Sequence, residues 1–175
     1  MQVVNIHECE LQASVSAAGI LIDSLASDND LLWPHAQWPA IGFDRPLAVG
    51  ASGGHGPIRY VVAAYQPGRM VKFRFTAPSG YHGHHWLELR PTGPQGTTLR
   101  HTIHMNVSGR ARLSWLFVIR PLHDALLQDA LARARSAMGM PAKRRPWSVW
   151  VRLLRRLRYR MPKPETRRHR CNSER

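Results

Sequence analysis

The chain has 175 residues, with 25 Lys and Arg against 11 Asp and Glu, and a formal net charge of +14. That length fits one domain with something appended, and no apolar run approaches the ~20 residues that span a bilayer. Residues 1–10 lack a basic segment followed by an apolar run, so no secretory signal is read there, and the cysteines Cys9 and Cys171 make no disulfide framework.

The charge is uneven. Residues 1–139 hold 12 basic and 9 acidic side chains, whereas 140–175 hold 13 and 2. Basicity therefore belongs to a tail and not to the fold. In chain order, 2–12 reads as a strand carrying Val3, Val4 and Ile6. Ser14 or Ser16 caps a helix through 27, with Ala17, Ile20, Leu21, Ser24 and Leu25 at helical spacing. A short helical turn over 28–33 stops at Pro34, an aromatic, Pro-rich stretch runs through Trp38-Pro39, and 41–47 is a weak strand. Residues 50–56 form a glycine-rich loop. It precedes a strand and has no lysine, so it is no phosphate cradle but a mouth loop.

Four strand-like segments follow at 57–64, 69–77, 82–90 and 97–108, separated by Gln66-Pro67-Gly68, Pro78-Ser79-Gly80 and the 91–96 run. Connections this short favour an antiparallel meander. Residues 111–138 switch to helical spacing, with a kink expected near 118–120 because Pro121 removes a backbone donor. Gly139, Pro141 and Pro146 mark the end of the domain. The fold class is α+β, a curved antiparallel sheet wrapped around a long C-terminal helix, with a basic amphipathic tail.

This element order, with the stretches Gly53-Gly54-His55-Gly56-Pro57-Ile58-Arg59-Tyr60 and Arg120-Pro121-Leu122-His123-Asp124-Ala125-Leu126, resembles the START-like (SRPBCC) superfamily. The branch it looks like is bacterial, grouped with polyketide cyclase/dehydrase and lipid-transport proteins. The resemblance implies a helix-grip domain over about 1–139 with a hydrophobic cavity between sheet and helix. It implies no one activity, since the superfamily spans carriers, cyclases, sensors and oxygenase domains. The two-His, one-carboxylate iron motif of its oxygenase branch has no match here, and no cofactor is expected.

Strand parity sorts the ten histidines. His85 shares a face with Tyr81, Leu87 and Leu89, and His101 with Leu99, Ile103 and Met105, so both point inward. A desolvated, neutral imidazole there can bond a ligand carbonyl or serve as a general base. The bland alternative is a satisfied core histidine. Tyr60, Tyr81, Phe73, Phe75 and Met105 join the expected lining, with Tyr65 a further phenol, and His55, Arg59, Trp33 and Trp38 rim the mouth. His82, His84 and His104 fall on the outer face. One register pairs His85 with His101 and His82 with His104, and a two-residue shift puts His84 opposite His104 instead. A metal there is disfavoured, because an open face lacks the outer shell that orients ligands. His123 and Asp124 are adjacent on a helix and are read as structural, with His123 capping freed backbone carbonyls at the kink or Asp124 pairing with a nearby Arg, and Arg120 doing the same on the other side of the kink.

In the tail, Trp147, Trp150, Val151, Leu154, Leu157 and Met161 form one apolar stripe, while Arg152, Arg155, Arg156 and Arg160 fall away from it and Arg158 flanks it. Such a helix suits an anionic membrane surface. It also suits docking on the domain or on a partner, and the stripe argues against a purely nucleic-acid role. Residues 162–175 read as disordered. Three functions stay open. One is binding or transfer of a hydrophobic small molecule or lipid by a cytoplasmic protein, peripheral at a membrane. The second is a cyclase/dehydrase-type enzyme using His85 or His101, and the third an interaction protein recruited by its tail.

Overall fold

The computed structural model describes residues 1–142 and 145–158. Its strands are β1 (Gln2–Leu11), β2 (Ile41–Phe43), β3 (Ser52–His55), β4 (Ile58–Gln66), β5 (Met70–Ala77), β6 (Tyr81–Gly93) and β7 (Gly96–Val107). They form one seven-stranded antiparallel sheet in the order β1-β7-β6-β5-β4-β3-β2. The expected meander is β4 to β7. The first strand closes on the last, setting His7 opposite His101 and Val3 opposite Met105.

A helical stretch lies across the concave face: α3 (Ala111–Ser114), a π-helical turn (Trp115–Ile119) and α4 (Arg120–Ala137). Alternation on β7 buries Leu99, His101, Ile103, Met105 and Val107 against it, and α4 answers with Leu122, Leu126, Ala130 and Ala134. Pro121 falls in the first turn of α4, where a missing N–H costs least. The expected disruption at 118–120 takes the form of the π turn, which absorbs the break without bending the chain off the sheet.

Four expectations are corrected. The helix over 14–27 is two short ones, α1 (Val15–Ala18) and α2 (Ile20–Asp23). Gly19 between them lies against the β4–β5 turn, where a Cβ would stand 2.8 Å from the Gly68 Cα. That contact turns Ala18, Leu21, Ile22 and Leu25 inward and leaves Ile20 49% exposed. Asp23 secures the turn, accepting from the Gly68 amide at 2.7 Å and the Tyr65 hydroxyl at 2.8 Å. Residues 28–33 are not helical, because the buried Asp30 carboxylate takes the amides of Ala26, Leu32 and Trp33 at 2.7–2.8 Å. A side chain that satisfies three donors competes directly with helical bonding. The strand over 41–47 is only β2. The mouth loop is largely strand β3, where a Cβ on Gly53 would meet the Gly42 carbonyl oxygen at 2.0 Å.

The tail helix α5 (Val149–Arg158) packs back on the domain. Trp147, Leu154 and Arg155, expected at a membrane, face protein instead. Val151 and Leu154 are buried in the main core, which stabilises by about 1.5–3 kcal/mol each. Asp129 on α4 accepts the indole N–H of Trp38 at 2.8 Å and of Trp147 at 2.9 Å. The Arg155 guanidinium lies 4.7 Å from the Trp38 ring and 3.7 Å from the Trp147 ring, and donates to the Gln37 carbonyl. Met161, Arg160 and the 162–175 run expected to be disordered lie outside the described residues, as does the Arg158 side chain. Among the described residues no helix is long and apolar enough to cross a membrane.

Removing the shared acceptor should loosen α5. Asp129→Ala strands two indole donors, so urea unfolding should show a loss of about 2–4 kcal/mol. Limited trypsin digestion should then cut first at Arg152 or Arg156. Unchanged stability and an unchanged digestion pattern would show that Asp129 does not anchor the helix.

Candidate functional site

Sheet and helix enclose a cavity of about 90 Å³. Its walls come from β4 (Tyr60), β5 (Phe73, Phe75), β6 (Tyr81, His85), β7 (His101, Ile103, Met105), the π turn (Trp115, Ile119) and α4 (Leu122, His123, Leu126). Trp33, Trp38, Ile41 and His55 complete it on the side of β2 and β3. The Trp33 and His55 rings are 4.7 Å apart. Every residue expected to line this space does so except Arg59. Its guanidinium turns out to bond the Gly56 and Ile58 carbonyls at 2.7 and 3.0 Å, because β3 and β4 form a tight hairpin there. Tyr65 is also elsewhere, held by Asp23.

The inward histidines meet. His85 Nδ1 and His101 Nε2 are 3.3 Å apart, while His85 Nε2 and His101 Nδ1 are buried with no hydrogen-bond partner in the protein. Phe73 and Phe75 stack on the His85 ring at 4.8 Å and Tyr60 meets it edge-on at 4.8 Å. His101 stands opposite Leu87, not His85, so the pair is diagonal. Burial, the largest cause, and the neighbouring imidazoles push both rings well below the ordinary histidine value. Burial lowers His55 to about 3 and raises the Tyr60 phenol above its usual range. The site's polar groups are therefore neutral.

Two partners went unread in the sequence. His123 points into the cavity, its ring 5.0 Å from that of His101, and both its nitrogens are buried without a partner. It does not cap freed carbonyls at the kink. His7 reaches from β1 to bond Asp124 Oδ1 at 2.9 Å, and Asn5 donates to the same oxygen at 3.0 Å. Burial acts to raise Asp124, but its contacts with His123, His7 and Asn5 prevail and hold it well below the carboxylate range. The signal for His7 was its parity with Leu11, masked by the apolar outward residues Val4 and Ile6. On the outer face, His84 lies opposite His104 and His82 opposite Asn106, which is the shifted register. His104 meets Gln2 at 3.2 Å. Among the described residues the grouping with metal-ligand spacing is instead His7, His123 and Asp124.

No protein-family model matches the sequence, and no curated protein matches it. Solved structures do. A protein of Thermobifida fusca solved by NMR aligns with a TM-score of 0.60 at 14% identity, over 81% of this chain and 99% of that one. Norcoclaurine synthase from Thalictrum flavum, in complex with dopamine and hydroxybenzaldehyde, aligns at 0.58 and 16%, over 82% and 90%. StfQ, a di-domain ARO/CYC protein of the steffimycin biosynthetic pathway, aligns at 0.56 and 13%, over 79% of this chain and 51% of that one. These likenesses show the fold, a curved antiparallel sheet wrapped on a long C-terminal helix, the helix-grip arrangement expected from the sequence.

Neutral buried histidines make stability pH-dependent. A depressed folded pKa means that only the unfolded chain takes the proton, so acid favours unfolding. Stability should be full above the ordinary value of about 6.5 and fall below it, for His55 down to about pH 3. Each such histidine costs at most about 1.4 kcal/mol per pH unit. Melting temperature should drop between roughly pH 7 and 5, and His101→Leu should flatten that slope. Equal melting temperatures across this range would mean the rings protonate in place.

Proposed function

We propose that this protein binds a small, largely apolar molecule of about one aromatic ring, or a short polyketide-like fragment, between the sheet and α4. The His85–His101 pair holds its carbonyl or hydroxyl. The observation that carries this reading is an apolar cavity whose pair of neutral imidazoles keeps one unpartnered nitrogen on each ring. A buried polar atom without a partner costs about 1–3 kcal/mol, which a ligand hydrogen bond recovers. Size narrows the ligand class. A dry cavity of about 150 Å³ accepts benzene, and this one holds about 90 Å³, so even a single ring enters only as the aromatic walls yield, and an acyl lipid fits poorly. The dopamine and hydroxybenzaldehyde in complex with norcoclaurine synthase are one-ring phenols, nearer this scale than a lipid.

A second reading is catalysis of the cyclase/dehydrase kind. The 3.3 Å contact between His85 and His101 favours it, because one ring can orient the other as a general base. Hydroxybenzaldehyde is a direct probe, followed by quenching of Trp33 and Trp115 at the cavity wall. Binding should saturate, and Phe73→Trp, which fills the cavity, should abolish it. Failure of hydroxybenzaldehyde and of any co-purified compound to bind would sink the reading. His85→Gln and His101→Gln separate the two versions: a binding protein changes its selectivity, whereas an enzyme loses turnover with affinity nearly intact.

The membrane reading concerns the side of α5 turned away from the domain. Docking covers only part of the apolar surface: Val149 and Leu157 are 73% exposed, Trp150 46% and Leu153 44%. Trp150 donates to the Phe117 carbonyl, which joins this side to exposed Leu113, Leu116 and Phe117. Arg152 and Arg156 edge it, and basic residues near an anionic surface add about 1 kcal/mol each. Wild-type protein should sediment with anionic liposomes at low salt, and Trp150→Ser with Leu153→Ser should not. Equal sedimentation of both removes the membrane from the proposal.

A further inference from the structure

The cluster behind the cavity wall has more ligand atoms than hydrogen bonding accounts for. On Asp124, Oδ1 faces His7 Nε2 at 2.9 Å and His123 Nδ1 at 3.6 Å. One ligand atom from each of the three residues lies within 4.8 Å of the others. A plain His7–Asp124 pair would leave His123 only loosely engaged, since its Nδ1 stands 3.6 Å from Asp124 Oδ1 and neither ring nitrogen has a hydrogen-bond partner. Asn5 Oδ1, beside the same carboxylate, is also buried and unpartnered. Buried polar atoms without a hydrogen-bond partner ask for an ion or an ordered solvent molecule.

We propose that His7, His123 and Asp124 form a divalent transition-metal site, zinc being the ion that suits it best. Zinc takes histidine and carboxylate ligands at about 2.0–2.2 Å in tetrahedral array, which sets ligand atoms roughly 3.4 Å apart. The distances of 2.9 and 3.6 Å bracket that spacing. β1 and α4 supply the ligands and already touch, so only small side-chain movements are needed. Two histidines and one carboxylate leave coordination positions open. His123 also lines the cavity, so the ion borders the space assigned to the ligand. Arg120 Nε stands 3.7 Å from Asp124 Oδ2, on the other oxygen, and competes electrostatically with a cation. This site is independent of the ligand reading, which rests on His85 and His101.

The test uses the full chain, treated with a chelator and titrated with Co²⁺ and with Zn²⁺. One equivalent of Co²⁺ should bind with the visible absorption of a low-coordinate site. Zn²⁺ should displace it and raise the melting temperature. His123→Gln and Asp124→Asn should each lose more than the roughly 10–100-fold in affinity that removal of an outer partner costs. Arg120→Gln should bind the ion several-fold more tightly, a gain that a misfolded variant cannot give and a purely structural ion pair does not predict. His84→Gln with His104→Gln should leave the tight equivalent unchanged. Absence of a tight equivalent, or one lost with His84 and His104 and kept without His123, overturns the proposal.

Discussion

Imidazoles buried in an apolar cavity cannot afford a charge, and the rest of the structure is arranged around that constraint. Burial is the largest cause of the depressed values of His55, His85, His101 and His123. A protonated ring there would sit among Phe73, Phe75, Tyr60 and Trp115 at a cost of several kcal/mol. Kept neutral, each ring has one donor and one acceptor. Two of them satisfy each other only in part, leaving the outer nitrogens of the His85–His101 pair for something else. Sheet curvature brings β6 and β7 over α4 closely enough for this, and Asp124 is set on the far side of His123, toward β1.

The mouth of the cavity is governed by two carboxylates that accept from backbone amides and from indoles. Asp30 spends its oxygens on three backbone amides, and this shapes the turn that presents Trp33. Asp129 spends one oxygen on two indoles, while Arg155 stacks on the faces of the same two rings. Stacking on the two indole faces covers the guanidinium and fixes it against the aromatic connection. The connection bearing Trp33 and Trp38, helix α4 and helix α5 are consequently one packed unit. The tail is basic by composition but partly core by position.

The reading of β6 and β7 from sequence succeeded because strand parity propagates. Once Leu87, Leu89 and Leu99 face inward, His85 and His101 must do so too. The register breaks fall at Arg59/Tyr60, Val62/Ala64 and Pro91/Gly93, none of them between the two histidines and their apolar neighbours. Parity does not set register, and so the partner of His104 stayed open until the sheet showed His84. On β1 parity itself was ambiguous, since Val4 and Ile6 are 60% and 48% exposed. His123 lay in a helix whose rotation could not be carried across the break at Pro121.

The amino-acid order alone determined the first strand, the four-strand meander and the long helix that follows it, which way the central histidines face, and that a basic amphipathic helix lies in the tail. These follow from local periodicity and from where proline and glycine can sit. Only the tertiary structure decided that β1 closes on β7, that His7 and His123 meet at Asp124, and that Val151 and Leu154 of the tail are core. Each of those joins residues more than eighty positions apart or turns on which face of a helix finds cover, and short-range periodicity carries no information about either.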